Sequence, residues 1–295
     1  MKQKFLDLLP PFTVAAVLLF WGTAPKAWVD SWWVLMVVIL GVLGFVQLME
    51  YFAERHEGWR LNRTEFFTDI FYVAFGLTVI AWASTALAEP WVLAAKKALG
   101  ITTPWLADLP FLVQAMLAML LFEFGQYWMH RLMHNNSWFW ATHAPHHHLT
   151  QLNAMKGYVG NPIELFLISL GVVALFDWDK AAVFAAISVS ITVVIFAHAN
   201  VRANPPIWYS FFFTTIRHHS LHHTAISYED TRYNYGNSLI LMDRIFGTFK
   251  DGESTIVGQG ERKRLSIPQQ WVFPFQPLID RMRARRAQAS STINK

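Results

Sequence analysis

Eleven of the chain's twelve histidines fall between His130 and His223, and they fall in a pattern. His130 and His134 stand four residues apart; His143, His146 and His147 have the spacing i, i+3, i+4, and His219, His222 and His223 repeat it. On a helix those intervals bring side chains to one side, so each stretch can point two or three imidazoles at a common centre. Neutral imidazole is a ligand for iron, copper, nickel and zinc. One structural zinc takes about four ligands and one catalytic zinc about three. Eight histidines, with His198 as a ninth, therefore exceed one ion and fit two. His148 and His218 adjoin the stretches and read as groups that orient a ligand. The isolated His56 reads as an ordinary hydrogen-bonding residue.

The elements that must position these side chains follow from composition. Of 295 residues, 54% are hydrophobic and 15% charged, against about 25% charged in a soluble domain. An integral membrane protein is the implied class. Charge-free runs of membrane length cover 8–25, 31–49 and 70–88. A fourth, 109–129, is broken only by Glu123, and a fifth and sixth, 159–176 and 181–197, meet at a polar tip of Asp177, Asp179 and Lys180. The charge-free part of the fifth, 165–176, is too short to cross alone, so runs five and six form a full or a re-entrant hairpin. The first run reads as a span and not a signal peptide, because Pro10 and Pro11 interrupt it and no clean small-residue site follows. The expected fold is an all-α integral membrane protein of four to six transmembrane or re-entrant helices with a histidine-rich helical cap on the cytoplasmic side. With the N-terminus cytoplasmic, 20 of the 24 Lys and Arg fall on that side, Lys156 among them, and Lys26, Lys96, Lys97 and Lys180 on the other, as the positive-inside rule expects. The same parity puts every clustered histidine on the cytoplasmic face. Arginines in 281–286 read as a solvated or headgroup-binding tail.

Absences narrow the chemistry. With no cysteine there are no thiolate clusters, disulfides or cysteine nucleophiles. The chain has no G-x-S-x-G, P-loop, G-x-G-x-x-G, H-E-x-x-H or Glu-x-x-His, so the metal site must be almost wholly nitrogen-ligated. Glu123, two helical turns before His130, is a catalytic candidate because it is an intramembrane carboxylate; its alternative is a residue bonded to a histidine or to water. Asn200, Asn237 and Asp243 are candidates for holding an imidazole from behind.

At these residues the sequence resembles the fatty acid hydroxylase superfamily, also called the sterol desaturase family, of membrane di-iron enzymes. The resemblance covers 109–250. It rests on H-x-x-x-H, H-x-x-H-H and H-x-x-H-H in that order, on Tyr127-Trp128-Met129-His130-Arg131, on Asn234-Tyr235-Gly236 and on Asp243-Arg244-Ile245-Phe246-Gly247-Thr248-Phe249. The chain departs from it at His148 and Leu149 and at Asn161, where relatives often carry histidine. The resemblance implies two non-haem iron ions held by His130, His134, His143, His146, His147, His219, His222 and His223, with His198 as a further ligand. It implies hydroxylation of a lipid C–H bond with molecular oxygen as co-substrate, or desaturation at the same site. A zinc hydrolase and a metal-binding or transport protein are the rivals. Electrons are expected from a separate donor of reductase, ferredoxin or cytochrome type, and no nucleic-acid partner is expected. The division that follows is 1–108 for the N-terminal spans, 109–250 for the catalytic domain and 251–295 for a basic cytoplasmic tail. The expected location is a bacterial inner membrane or the endoplasmic reticulum.

Overall fold

Long apolar runs fold into helices of membrane length, the first of them even across Pro10 and Pro11. A computed structural model describes residues 2–171 and 173–283; Arg285 and Arg286 of the expected basic tail lie outside these. Among the described residues five helices are long and apolar enough to cross a membrane: α1 (Gln3–Thr23), α2 (Trp32–Phe52), α3 (Arg63–Ala98), α4 (Phe111–Asn135) and α7 (Lys180–His198). Between and beyond them lie α5 (Ser137–His147), α6 (Pro162–Ser169), α8 (Ile216–His222), α9 (Leu241–Ile245) and α10 (Ile267–Val272). Among the described residues β structure is confined to isolated bridges, Glu54 with Val201 and Thr224 with Val257. The fold is all-α and multi-pass.

Local chemistry sets the ends. Pro25 stops α1, and the Asn62 side chain caps α3 by accepting from the Glu65 N–H at 3.0 Å. The run at 70–88 proves to be the middle of a 36-residue helix. Two π-helical stretches, Gly76–Ile80 and Ser84–Ala88, loosen it. The second comes just before Pro90, whose ring cannot follow a regular α-helical turn.

Helix α7 is the axis of the bundle: 67% of its most apolar stretch is buried, against 17% for α3. Ala182, Ala185, Ala186, Ser188 and Ser190 keep its surface narrow, so α1, α2 and α4 can lie close against it. The Trp21 indole donates to Ser188 Oγ at 2.9 Å, satisfying both polar groups inside that packing.

The fifth run crosses the bundle as a broken segment. Its helix α6 has eight residues, about 12 Å of rise, and the chain beyond it is largely irregular to Asp179. At one end Glu164 meets His143. At the other, Asp177 pairs with Lys96 and accepts from the Thr103 N–H at 2.8 Å. Runs five and six therefore form a hairpin that reaches both ends of the bundle.

Buried charge ties the histidine end to the spans. Glu50 in α2 accepts from the backbone N–H groups of Ala154 and Asn200, each at 2.7 Å. Lys156 is fully buried between Glu65 and Asp69 of α3. Lys156, counted in the sequence among the charges on the cytoplasmic side, is an internal bolt.

Candidate metal centre

Four elements deliver the histidines. His130 and His134 occupy the last turns of α4; α5 follows at once, its start fixed by Asn136, whose side chain accepts from the N–H groups of Trp138 and Phe139. His198 ends α7, and His219, His222 and His223 come from α8 and its C-cap. All nine are buried. They form two groups: His130, His134, His143, His147 and His222 in one, His146, His198, His219 and His223 in the other, with one nitrogen of each member within 4.8 Å of the rest of its group. The groups adjoin, since the His147 and His223 rings stack 4.4 Å apart.

Both triplets divide between the groups, contrary to the expectation of one centre per stretch. Positions i and i+4 stay together, as His143 with His147 and His219 with His223, while His146 and His222 cross over. The reason is angular. At 3.6 residues per turn, i+3 and i+4 diverge by about 100°, enough to serve neighbouring centres.

Hydrogen bonds fix which nitrogen carries each proton. A backbone carbonyl can only accept, so Nδ1 of His130 donates to Tyr235 O, of His146 to Val159 O and of His222 to Tyr233 O, all at 2.7 Å, and of His198 to Val194 O at 2.9 Å. His143 Nδ1 donates to Glu164 Oε1 at 2.7 Å. The Nε2 atoms of these rings are consequently bare acceptors. Yet His130 Nε2 lies 3.0 Å from His143 Nε2 and 3.1 Å from His222 Nε2. Three lone pairs converging without a proton are satisfied only by a cation. Elsewhere in the groups, both ring nitrogens of His134 and the Nδ1 atoms of His147, His219 and His223 are buried without a partner. Burial holds the imidazoles neutral: it brings His143 down to about 3, and it lowers His147, His222 and His223, each helped by neighbouring imidazoles. Neutral, convergent and water-excluded, the donor set fits transition-metal ions.

The Asn234-Tyr235-Gly236 motif has a mechanical role. Asn234 takes the left-handed conformation, φ 59°, which turns the flanking carbonyls of Tyr233 and Tyr235 toward His222 and His130. Its side chain locks that turn by donating to His218 O and Lys250 O and accepting from the Lys250 N–H. A Cβ on Gly236 would lie 2.3 Å from Leu239 O. Asp243 holds the same turn, accepting from the N–H groups of Tyr235 and Gly236 and from Thr248 Oγ1.

The remaining candidates separate cleanly. Glu123 bonds to no histidine; it accepts from Ser238 Oγ and from the N–H groups of Ser238 and Leu239, and so braces the turn before α9. Asn200 bonds to the 55–56 backbone, Asn237 to Gln126, and Asp243 supports His130 through Tyr235. His148 packs on Phe273, and His218 sits between Thr215 and Asp251, outside both groups. His56 pairs with Glu253. Glu164 was not singled out in the sequence. Its only local signal is the Asn161-Pro162-Ile163-Glu164 capping box, and the same carboxylate that closes the cap takes the His143 proton.

A membrane helical bundle with nine buried imidazoles in two adjoining groups defines a membrane protein with a candidate binuclear metal centre. Residues 115–248 match the fatty acid hydroxylase family model, which bears out the resemblance to the fatty acid hydroxylase superfamily over this segment. The chain is 29% identical over 222 residues to an ornithine lipid hydroxylase of Rhizobium tropici, covering 72% of this chain and 66% of the relative. It is 31% identical over 166 residues to an alkylglycerol monooxygenase of Xenopus tropicalis, covering 53% and 34%. With methylsterol monooxygenase 1 of Rattus norvegicus it shares 27% identity over 128 residues, 41% of each chain. The chain thus spans just under two thirds of the first relative and about a third of the second. No solved structure matches it.

Proposed function

We propose that this protein is a membrane-bound non-haem di-iron oxygenase that hydroxylates a C–H bond of a lipid, using molecular oxygen and electrons from a separate donor of reductase, ferredoxin or cytochrome type. The observation that carries the reading is the pair of adjoining, buried, all-histidine groups in a segment matched by the fatty acid hydroxylase family model. In this reading His130, His134, His143, His147 and His222 hold one ion, and His146, His198, His219 and His223 the other. The relatives' names, each a lipid hydroxylase or monooxygenase, support the substrate class.

Donor number favours iron over zinc: the first group brings five imidazoles together, whereas a protein zinc site takes about three or four protein ligands. Bound iron would supply reductive oxygen activation and attack on an unactivated C–H bond. The chain's own residues hold the imidazoles neutral, fix their tautomers through the carbonyls of Tyr233, Tyr235 and Val159 and through Glu164, and keep the site dry. The 109–250 segment is assigned as the catalytic domain, 1–108 as spans that seat it and 251–295 as the basic tail. Orientation follows the charges: arginines gather at the histidine end, while Lys96 and Lys180 lie at the far end beside Asp177 and Asp30. Under the positive-inside rule this distribution supports a cytoplasmic histidine end, with the termini assigned to the same side.

The test is metal analysis of iron-grown protein, with mass spectrometry of lipid products under oxygen-18 and a supplied reductant. Two irons per chain and one labelled oxygen in a lipid alcohol are expected. An alkene product would assign a desaturase. Activity with zinc alone, without oxygen or reductant, would refute the oxygenase reading.

A further inference from the structure

The Asp243-to-Phe249 motif contains an arginine that the metal centre does not use. Arg244 is clamped between two aromatic rings: its guanidinium carbon lies 3.6 Å from the Phe249 ring centre and 4.8 Å from that of Phe211. Its Nε donates to Phe211 O at 3.0 Å. Among the described residues no group accepts from its two terminal nitrogens. Arg244 lines a cavity of about 390 Å³ together with Asn204, Arg217, His218, Phe249 and Asp251. Arg217 and Asp251 pair with each other at 2.8 Å, and Asp251 also approaches His218 Nε2 at 3.3 Å. Asp251 is thus shared by Arg217 and His218, and among the described residues no carboxylate lies within ion-pair distance of Arg244, whose charge Asp251 and Asp243 only sustain from further away.

The place of the cavity in the fold points to its occupant. Ala203 and Asn204 of its lining are tied to the first turns of α1: Gln3 Nε2 donates to Arg202 O at 3.0 Å and the Asn204 N–H to Asp7 Oδ1 at 2.8 Å. The cavity thus opens where a span leaves the hydrocarbon. Beside it Ile207 and Trp208 are 76% and 58% exposed, with Phe212 and Ile245 also exposed, an apolar fringe suited to the membrane interface. A ligand here lies in the headgroup layer and carries one negative charge with two oxygens for a guanidinium fork. A phosphodiester meets all three conditions. We propose that the Arg244 cavity binds the phosphate of a membrane phospholipid, a site separate from the metal centre and independent of the oxygenase reading.

The test uses the full chain in detergent, titrated with short-chain phosphatidylglycerol, the matching diacylglycerol and inorganic phosphate, with binding followed by native mass spectrometry. Phosphatidylglycerol is expected to bind, diacylglycerol and phosphate to bind far more weakly. Arg244→Gln should weaken the phospholipid at least about tenfold, as loss of a charge-assisted pair implies, and Arg244→Lys should not restore it, because ammonium lacks the planar fork. Unchanged metal content and unfolding temperature in both variants exclude a folding defect; if Arg244→Gln misfolds, Arg244→Lys alone decides. Equal binding of diacylglycerol, equal binding of free phosphate, or wild-type phospholipid affinity in both variants would overturn the proposal. So would an acidic ferredoxin whose binding is lost in Arg244→Gln while phospholipid binding persists.

Discussion

Replacing Glu164 with glutamine tests whether the metal centre depends on the group behind a ligand. Glu164 uses both carboxylate oxygens: Oε1 takes the His143 Nδ1 proton at 2.7 Å, and Oε2 accepts from the Asn161 N–H at 3.2 Å, closing the cap of α6. Glutamine has a single acceptor oxygen, so it serves one partner and turns its NH2 toward the other. The variant loses one hydrogen bond, about 1 kcal/mol. Loss of a partner behind a metal-bound histidine costs about 10- to 100-fold in metal affinity, which is about 1.4–2.7 kcal/mol. The assay is titration of metal-free protein with cobalt(II), and with iron(II) under anaerobic conditions, against a competing chelator, beside thermal unfolding in the same detergent. The expected result is a metal affinity lowered by at least tenfold with a small change in the metal-free unfolding temperature. Wild-type affinity in Glu164→Gln, or a loss that merely tracks unfolding, would refute the assignment of Glu164 as a positioning residue.

Three further outcomes follow from the same geometry. Asn234→Ala forces alanine into a left-handed conformation, about 1–2 kcal/mol, and removes three side-chain hydrogen bonds at about 1 kcal/mol each; thermal unfolding should show a loss of about 4–5 kcal/mol, and Asn234→Gly should recover the conformational part. Lys156→Met leaves the buried carboxylate of Asp69 without a counter-charge and Glu65 with Arg264 alone; the expected destabilisation is about 3–5 kcal/mol, partly reversed by adding Asp69→Asn, and full stability in the single variant would contradict the bolt. Although burial pushes the Glu253 carboxyl up, Arg55 and His56 outweigh it and hold it below its ordinary 4.5. The stability this clamp contributes is therefore present above pH 4.5 and lost as pH falls through the lower folded value; hydrogen exchange across 53–57 and 251–253 should quicken in that acid range, and in Glu253→Gln should already be fast at neutral pH.

What could be seen in the sequence was whatever repeats along one helix. Imidazoles at i, i+3 and i+4 announce themselves, and charge-free runs of twenty residues announce spans. The sharing of each triplet between two groups was hidden, because the direction of His146 and His222 matters only once α5 and α8 face each other. Glu164 was hidden for a related reason: its cap is local, but His143 is 21 residues away. Glu123 illustrates the converse, an intramembrane carboxylate that looks functional by position and whose bonds all go to the Ser238 turn. Run five was short in sequence and is short as a helix, yet it still reaches the far end, where Asp177 pairs with Lys96.

The division of ligands explains why so much of the cap is devoted to backbone carbonyls. Helix α4 supplies only the first group and α7 only the second, so the bundle fixes one edge of each; α5 and α8 supply both, so the cap sets how the two groups stand to each other. A tilt of α8 would move His222 in one group and His219 with His223 in the other. Side-chain partners alone are poor brakes on such a tilt, because each has rotamers of its own. The carbonyl of Tyr233 has none, and the neighbouring carbonyl of Tyr235 comes from the same Asn234 turn. One turn thereby sets the orientation of His222 on α8 and His130 on α4, joining cap to bundle across the first group. Val159, which accepts from His146 at the start of the α6 segment, does the same for the second. The motif around Asn234 is thus part of the centre's geometry although none of its side chains belongs to either histidine group.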